Sequence, residues 1–313
     1  METIAYGPQG QGFSRLKLFL ALSRTPHGLL DLATPFLAAL LQLGEMPSLR
    51  VAVLGVITAF SGYTAVYALN DLVDYKVDRE DVLQGRESGI SGDLDAVYVR
   101  HPMALGLLSY REGLVWAVSW AAAALAGAYL LNPVCAFVFV MGAILESVYC
   151  LMLKVSHLRV MVSGVVKTLG GVAAVFAVDP APSPVFLVIL FLWLFFWEVG
   201  GQNVPNDWTD LPEDLELNAE TLPLRCGVDN ASIIILGTLG LSILMSLLMA
   251  AASPARLGPI YIIGAMAAAA NFLIVPALRL HRGKSRELAS ALFNRASLYP
   301  TAMLCVLLIS WIF

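Results

Sequence analysis

The residues best suited to chemistry in this sequence are two matched sets of aspartates. One lies in Asn70-Asp71-Leu72-Val73-Asp74-Tyr75-Lys76-Val77-Asp78 and the other in Asn206-Asp207-Trp208-Thr209-Asp210-Leu211-Pro212-Glu213-Asp214. In each, an asparagine precedes aspartates spaced i, i+3, i+7, which on a helix are successive neighbours along one face. Three carboxylates on one stripe repel one another unless a cation neutralises them. All-oxygen sets of this kind suit Mg²⁺, which a few carboxylates hold while water and substrate phosphates complete its shell. Two such clusters facing each other could hold Mg²⁺ and clamp a diphosphate between them. A single cluster reads equally well as a solvated helix end with Asp and Asn as caps; a matched pair beside apolar segments does not. Pro212 disfavours a continuous helix from Asp210 to Asp214, so Asp214 is expected to enter from a fresh turn.

The elements that must position these clusters are membrane helices. Of 313 residues, 58% are hydrophobic and 13% charged, against about 45–50% and about 25% in a soluble domain. The net charge of -4 leaves no basic footprint, so no nucleic-acid partner is expected. A bilayer core about 30 Å thick takes about 20 mostly apolar residues per helix. On that ruler the spans expected are 27–43, 49–70, 113–131, 133–153, 159–178, 184–204, 231–252, 258–280 and 296–313. The long links 70–113 and 204–231 carry most of the acids, whereas Pro47, Pro133, Pro180, Pro182 and Pro254 mark tight turns. Sixteen Lys and Arg residues fall on one side of these spans, two (Arg50 and Arg256) on the other, and Lys167 within a span. Basic residues concentrate in cytoplasmic loops, which predicts a cytoplasmic N-terminus, cytoplasmic Asp motifs and an external C-terminus. The first fifteen residues lack the apolar core of a removable signal peptide. Cys135, Cys150, Cys226 and Cys305 are far apart and read as packing residues, neither a disulfide frame nor a zinc site. The whole chain, 1–313, reads as one domain, and the paired motifs suggest an internal repeat of spans 1–4 and 5–8.

With these motifs in place, the sequence resembles the UbiA superfamily of intramembrane aromatic prenyltransferases along almost its whole length. Asn70 to Asp78 is similar to the first family motif, and Asp207-Asp210-Asp214 to the second. Arg100-His101-Pro102 with Gly106 and Ser109 resembles the segment after the first motif. Thr221-Leu222-Pro223 with Arg225 and Gly227 resembles the one after the second, and Arg24-Thr25-Pro26-His27 is similar to the N-terminal Arg-Pro signature. Tyr149 and Lys154 stand approximately where the family has a Tyr…Lys pair. This chain departs from the pattern in a longer stretch between Asp78 and Arg100, and in Arg-His where an arginine pair is usual. The resemblance implies an all-α integral membrane fold, a bundle of about nine transmembrane helices around a central cavity with a cytoplasmic cap of motif loops. It also implies Mg²⁺ as cofactor, and as substrates a polyprenyl diphosphate and a compact, often aromatic, quinone-precursor acceptor.

The roles implied by the resemblance fall on named residues. Asn70, Asp74, Asp210 and Asp214 match the family's metal ligands. Asp71, Asp78 and Asp207 are left to bind through water, to orient ligands or to pair with cations, and Asp71 or Asp78 to assist deprotonation of the acceptor. Candidate diphosphate or substrate contacts are Arg24, Lys76, Arg79, Arg100, Tyr149, Lys154 and Arg225; the alternative for each basic residue is a membrane-edge anchor. Mg²⁺ and basic groups stabilise charge growing on the leaving diphosphate, and a membrane bundle shields the allylic cation from water. Phe191, Trp193, Phe195, Phe196 and Trp197 either face that cation or simply pack. Asp31, Glu146, Lys167 and Glu198 are ionisable residues within apolar spans, where such groups are costly and often functional. Glu198 with Gln202 and Asn203 either binds the acceptor or makes interhelical hydrogen bonds. The Gly200-Gly201 pair predicts a close helix contact or a bend, and residues 85–95 read as a cytoplasmic loop that could act as a lid. Two other classes fit a multispan acidic protein: a secondary transporter, whose acids would sit at the midplane, and a lipid-linked phosphotransferase, whose single Asp/Gly/Arg pattern is absent.

Overall fold

The computed structural model describes residues 14–84, 94 and 97–312. The predicted loop at 85–95 therefore lies, except for Leu94, outside the described residues, as do the first thirteen positions. The described residues form helices joined by turns: α1 (Arg15–Leu22), α2 (Thr25–Asp31), α3 (Ala33–Leu43), α4 (Leu49–Leu83), α5 (Tyr110–Leu131), α6 (Pro133–Leu151), α7 (Arg159–Val178) and α8 (Pro184–Trp197). A π-helical turn, Glu198–Asn203, leads into α9 (Val204–Thr209), α10 (Leu211–Glu216) and α11 (Leu222–Ala252). Then come α12 (Pro259–Ala269), a second π turn (Ala270–Ile274), α13 (Val275–Gly283), α14 (Arg286–Ser297) and α15 (Tyr299–Ser310).

Among the described residues, eight helical stretches are long and apolar enough to cross a membrane; α8 with its extension to Thr209, α12 with α13, and α14 with α15 each supply one. The expected first span, 27–43, is instead divided between α2 and α3, which meet at Leu32. Pro35 has no N–H to donate to the Asp31 carbonyl, so the ladder breaks there. The last span begins at Arg286, ten residues before the expected start at 296, because Ser285 caps α14 by accepting from the Leu288 N–H. The seventh begins at Leu222 and turns at Gly227, whose φ of +78° is accessible to glycine at little cost.

α4 is the longest element at 35 residues, about 52 Å at 1.5 Å per residue. It outruns the bilayer, so the first Asp motif continues as helix past the apolar stretch. α4 packs on α5, α6 on α7, α3 on α7 and α8 on α11. Valines and isoleucines such as Val53, Ile57, Val118, Ile144, Val188 and Ile263 point outward, the surface that lipid would cover. The main apolar core lies among α8, α11, α12 and α15, around Trp193, Trp197, Tyr261 and Tyr299. At the two glycines the helices approach closely: a Cβ at Gly200 would run into Thr238 Oγ1, and one at Gly201 would meet the Ala296 Cβ at 2.9 Å. The four cysteines are free thiols, Cys135 and Cys150 buried and Cys305 exposed.

Candidate active site

The bundle encloses a cavity of about 410 Å³ whose wall includes α2, α4, α7, the first π turn, α9 and α10. Helical periodicity selects what α4 shows to it. Asn70, Asp74 and Asp78, at i, i+4 and i+8, line the cavity. Asp71, one residue further round, is 4% exposed and faces a small side pocket with Arg24, Arg100 and His101. Asn70 Oδ1 accepts from Arg24 at 3.1 Å and keeps a second lone pair, and Nδ2 donates to Glu146 Oε1 at 2.9 Å and to Cys150 Sγ at 3.2 Å.

The second motif is built differently. The helix breaks at Asp210 (φ −94°, ψ 10°), with Pro212 in the first turn of α10, as the sequence predicts. Asp207, Asp210, Glu213 and Asp214 all reach the same cavity, opposite the first motif. Arg286 Nε donates to the Thr209 carbonyl at 2.6 Å and holds that break in place.

Cations tie the two motifs together. Arg24 reaches Asp71 at 3.2 Å. Arg100 forks onto Asp210 (3.0 and 3.5 Å) and reaches Glu213 at 3.7 Å. His101 Nδ1 lies 2.9 Å from Asp78 and 3.8 Å from Asp71. Arg159 lies 3.9 Å from Asp207, its guanidinium 4.1 Å from the Tyr149 ring centroid. Tyr149 OH in turn accepts from Asn203 Nδ2 at 2.9 Å. Burial pulls the His101 pKa down, but the Asp78 and Asp71 carboxylates outweigh it and hold the ring charged, up to about 9. Asp71, Asp78 and His101 stand close enough to share an ion, but a protonated imidazole is a donor and not a ligand. Burial, with Asp207 and Asp210 beside it, pushes Asp214 up to about 8. Among the described residues, Asp207 Oδ2 and Asp214 Oδ2 are buried without a hydrogen-bond partner. Carboxylates crowded together with oxygens unmatched are the donor set a divalent cation satisfies.

A second polar layer lies one to two helical turns further into the bundle. Lys167 Nζ is 2.7 Å from Asp31 Oδ2 and 3.1 Å from Tyr67 OH, and Tyr67 OH donates to the same Asp31 oxygen at 2.5 Å. Ser163 Oγ donates to Glu198 Oε1 at 2.7 Å. Beyond this layer the wall is apolar, running along α4 back to Val51.

Comparison with known proteins decides the family: its profile, described as the UbiA prenyltransferase family, matches residues 32–298. The chain belongs to the UbiA prenyltransferase family. A relative, the digeranylgeranylglyceryl phosphate synthase of Thermococcus sibiricus, is 25% identical over 217 residues, covering 69% of this chain and 71% of that one. The fold is that of a UbiA homolog from Aeropyrum pernix K1 (TM-score 0.74, 18% identity, covering 91% of this chain and 98% of that one). It is also that of a UbiA homolog from Archaeoglobus fulgidus bound to DMAPP and Mg²⁺ (TM-score 0.65, 18% identity, 93% and 99% covered). Membership makes the protein an integral membrane prenyltransferase and sets aside the transporter and phosphotransferase readings.

In this UbiA member four expected basic contacts do not reach the cavity. Lys76 and Arg79 are exposed because they lie on other faces of α4 than Asp74 and Asp78, and Arg79 donates to Tyr75 OH at 2.8 Å. Lys154 is exposed in the turn after α6, and Arg225 is exposed just before the bend at Gly227. The aromatic segment packs instead of facing a cation: Trp193 and Trp197 are each 1% exposed in the core, and none of its five members lines the cavity. Arg159 is what sequence reasoning missed. It had the marks of a membrane-edge anchor at the head of a span, yet it is buried against Asp207. The available signal was its place five residues after Lys154, close to the family's Tyr…Lys pair.

Proposed function

We propose that this protein transfers a polyprenyl group from an isoprenyl diphosphate to a membrane-soluble acceptor in an Mg²⁺-dependent reaction. The observation that carries this is the convergence of both Asp motifs, with Arg24, Arg100 and Arg159, at one pole of a cavity whose far wall is mostly apolar. Asn70, Asp74, Asp210 and Asp214 would hold Mg²⁺, and the buried, unmatched oxygen of Asp214 fits that role. When bound, Mg²⁺ neutralises charge growing on the leaving diphosphate. Arg24, Arg100 and Arg159 lie where they can bind the diphosphate oxygens by charge-assisted hydrogen bonds. Asp71 and Asp207 orient two of those cations, Arg24 and Arg159, and Asp78 holds His101, next to Arg100 in the chain. Beyond the deeper polar layer, the mostly apolar wall from Tyr63 back to Val51 spans about 18 Å of α4, room to sheath part of a prenyl tail and keep water from the reacting carbon.

For the acceptor, the name of the Thermococcus relative favours a lipid alcohol, a prenylglycerol phosphate. The second reading is the hydroxylated aromatic ring of a quinone precursor, the acceptor that the resemblance to the aromatic prenyltransferases implies. The basic residues clustered at the motif end support a cytoplasmic N-terminus and cytoplasmic motifs, with the C-terminus outside. The meeting of both motifs in one cavity supports reading 1–313 as a single catalytic unit.

The test is diphosphate release by the purified protein in lipid nanodiscs, with farnesyl or geranylgeranyl diphosphate and both acceptor classes, with and without Mg²⁺. Release that needs acceptor and Mg²⁺, and that falls at least 100-fold in Asp74→Asn and Asp210→Asn, is expected. Absence of any Mg²⁺-dependent donor binding would overturn the reading.

A further inference from the structure

The diphosphate pole leaves unused the Ser163–Glu198 pair of the deeper polar layer. Both residues line the cavity, one from α7 and one from the π turn. Ser163 spends its hydroxyl proton on Glu198 Oε1 at 2.7 Å, which leaves the lone pairs of Oγ to accept a further hydrogen bond. Glu198 is 6% exposed, and among the described residues its second oxygen has no hydrogen-bond partner. Its neighbours do not supply a direct counter-ion. Lys167 is taken up by Asp31 and Tyr67, and its field, with those of Asp31 and His27, reaches Glu198 without a bond. Tyr63 faces the same carboxyl from α4. Packing alone does not account for an uncompensated carboxyl at this depth, because a buried unpaired acid is costly. The π turn that presents it is itself an irregularity found often at functional sites.

We propose that Ser163 and Glu198 form a two-step proton relay for an alcohol acceptor, a role that rests on the prenyl-transfer reading above. The acceptor hydroxyl donates its hydrogen bond to Ser163 Oγ. As the acceptor oxygen forms its bond to C1 of the prenyl group, the C1–O bond to diphosphate breaks and its electron pair leaves with diphosphate. The acceptor proton passes to Ser163 Oγ, and the Ser163 proton passes to Glu198 Oε1. Charge and atoms balance: prenyl ether, diphosphate and a protonated Glu198, which then returns its proton to water. The relay sits on the side of the cavity formed by α7 and the π turn, so the substrate it recognises is a hydroxyl-bearing lipid whose alcohol reaches below the diphosphate pole.

Glu198→Gln and Ser163→Ala test this with geranylgeranyl diphosphate as donor and geranylgeranylglyceryl phosphate as acceptor, beside a hydroxylated aromatic acid. Glu198→Gln is expected to lower kcat by roughly 10²- to 10⁴-fold, the range of a proton-transfer group, and Ser163→Ala by about tenfold or more. In both, Mg²⁺-dependent donor binding and donor KM stay within twofold of wild type. A kcat within threefold of wild type in either folded variant overturns the relay, as does a loss of donor binding that matches the loss of turnover. If Glu198→Gln does not fold, Ser163→Ala decides alone. Wild-type transfer to the aromatic ring but not to the alcohol overturns the relay and leaves the prenyltransferase reading standing. Failure of wild type to bind donor overturns that reading instead.

Discussion

Replacing Arg159 with methionine removes the one charge that reaches the second motif from α7 while keeping an apolar side chain of comparable reach. The guanidinium side chain is 9% exposed and pairs with Asp207 at 3.9 Å. Deleting one partner of a buried ion pair costs about 3–5 kcal/mol; the long N···O distance puts this pair at the low end, about 3 kcal/mol. The stack on Tyr149 at 4.1 Å adds roughly 1–2 kcal/mol for a desolvated cation–π contact. Arg159→Met is therefore expected to melt well below wild type in Mg²⁺-free buffer. Mg²⁺ binding to the folded state raises the melting temperature of both proteins, and because it supplies the missing positive charge in the variant, the gap between them should narrow. The diphosphate loses one charge-assisted hydrogen bond of about 1.5–3 kcal/mol, so donor KM should rise roughly ten- to 150-fold. Thermal unfolding in nanodiscs, with and without Mg²⁺, and donor titrations read both effects. A donor KM within threefold of wild type, together with an unchanged melting temperature, would refute the reasoning that Arg159 joins substrate to motif.

Two further expectations use different parts of the site. Gly201→Ala would press its Cβ to 2.9 Å from that of Ala296; overpacking costs about 1–3 kcal/mol and should displace the π turn, so a lowered melting temperature is expected together with reduced turnover. A variant as stable and as active as wild type would show that the α14 contact yields freely. His101 titrates at about 9 in the fold, above its ordinary 6.5, so its stabilising contribution is complete below pH 6.5 and disappears as pH rises through 9. The gap in melting temperature between wild type and His101→Gln should shrink between those values, and a gap independent of pH would contradict the Asp78–His101 pairing.

Spacing along one helix was legible before any fold was known. The shared face of Asp74 and Asp78, the break imposed by Pro212 and the close contact at Gly200-Gly201 follow from local rules about pitch, missing N–H groups and missing Cβ atoms, whereas Asp71, expected on the same stripe, turns to a side pocket. The apolar spans were equally plain, because bilayer thickness sets their length; the exceptions were 27–43, where Pro35 splits the rod into α2 and α3, and the starts of the seventh and last spans, which lie earlier at Leu222 and Arg286. Which charges face the cavity was not legible. Lys76 and Arg79 share a helix with Asp74 and point elsewhere, while Arg159, with the marks of an edge anchor, turns inward over Tyr149. Asp31 and Lys167, 136 residues apart, meet only because α2, α4 and α7 converge. A side chain's direction around its own helix is a local property of the chain. Whether that direction meets lipid, solvent or a partner depends on how each helix is rotated against its neighbours, and packing across the bundle alone sets that rotation.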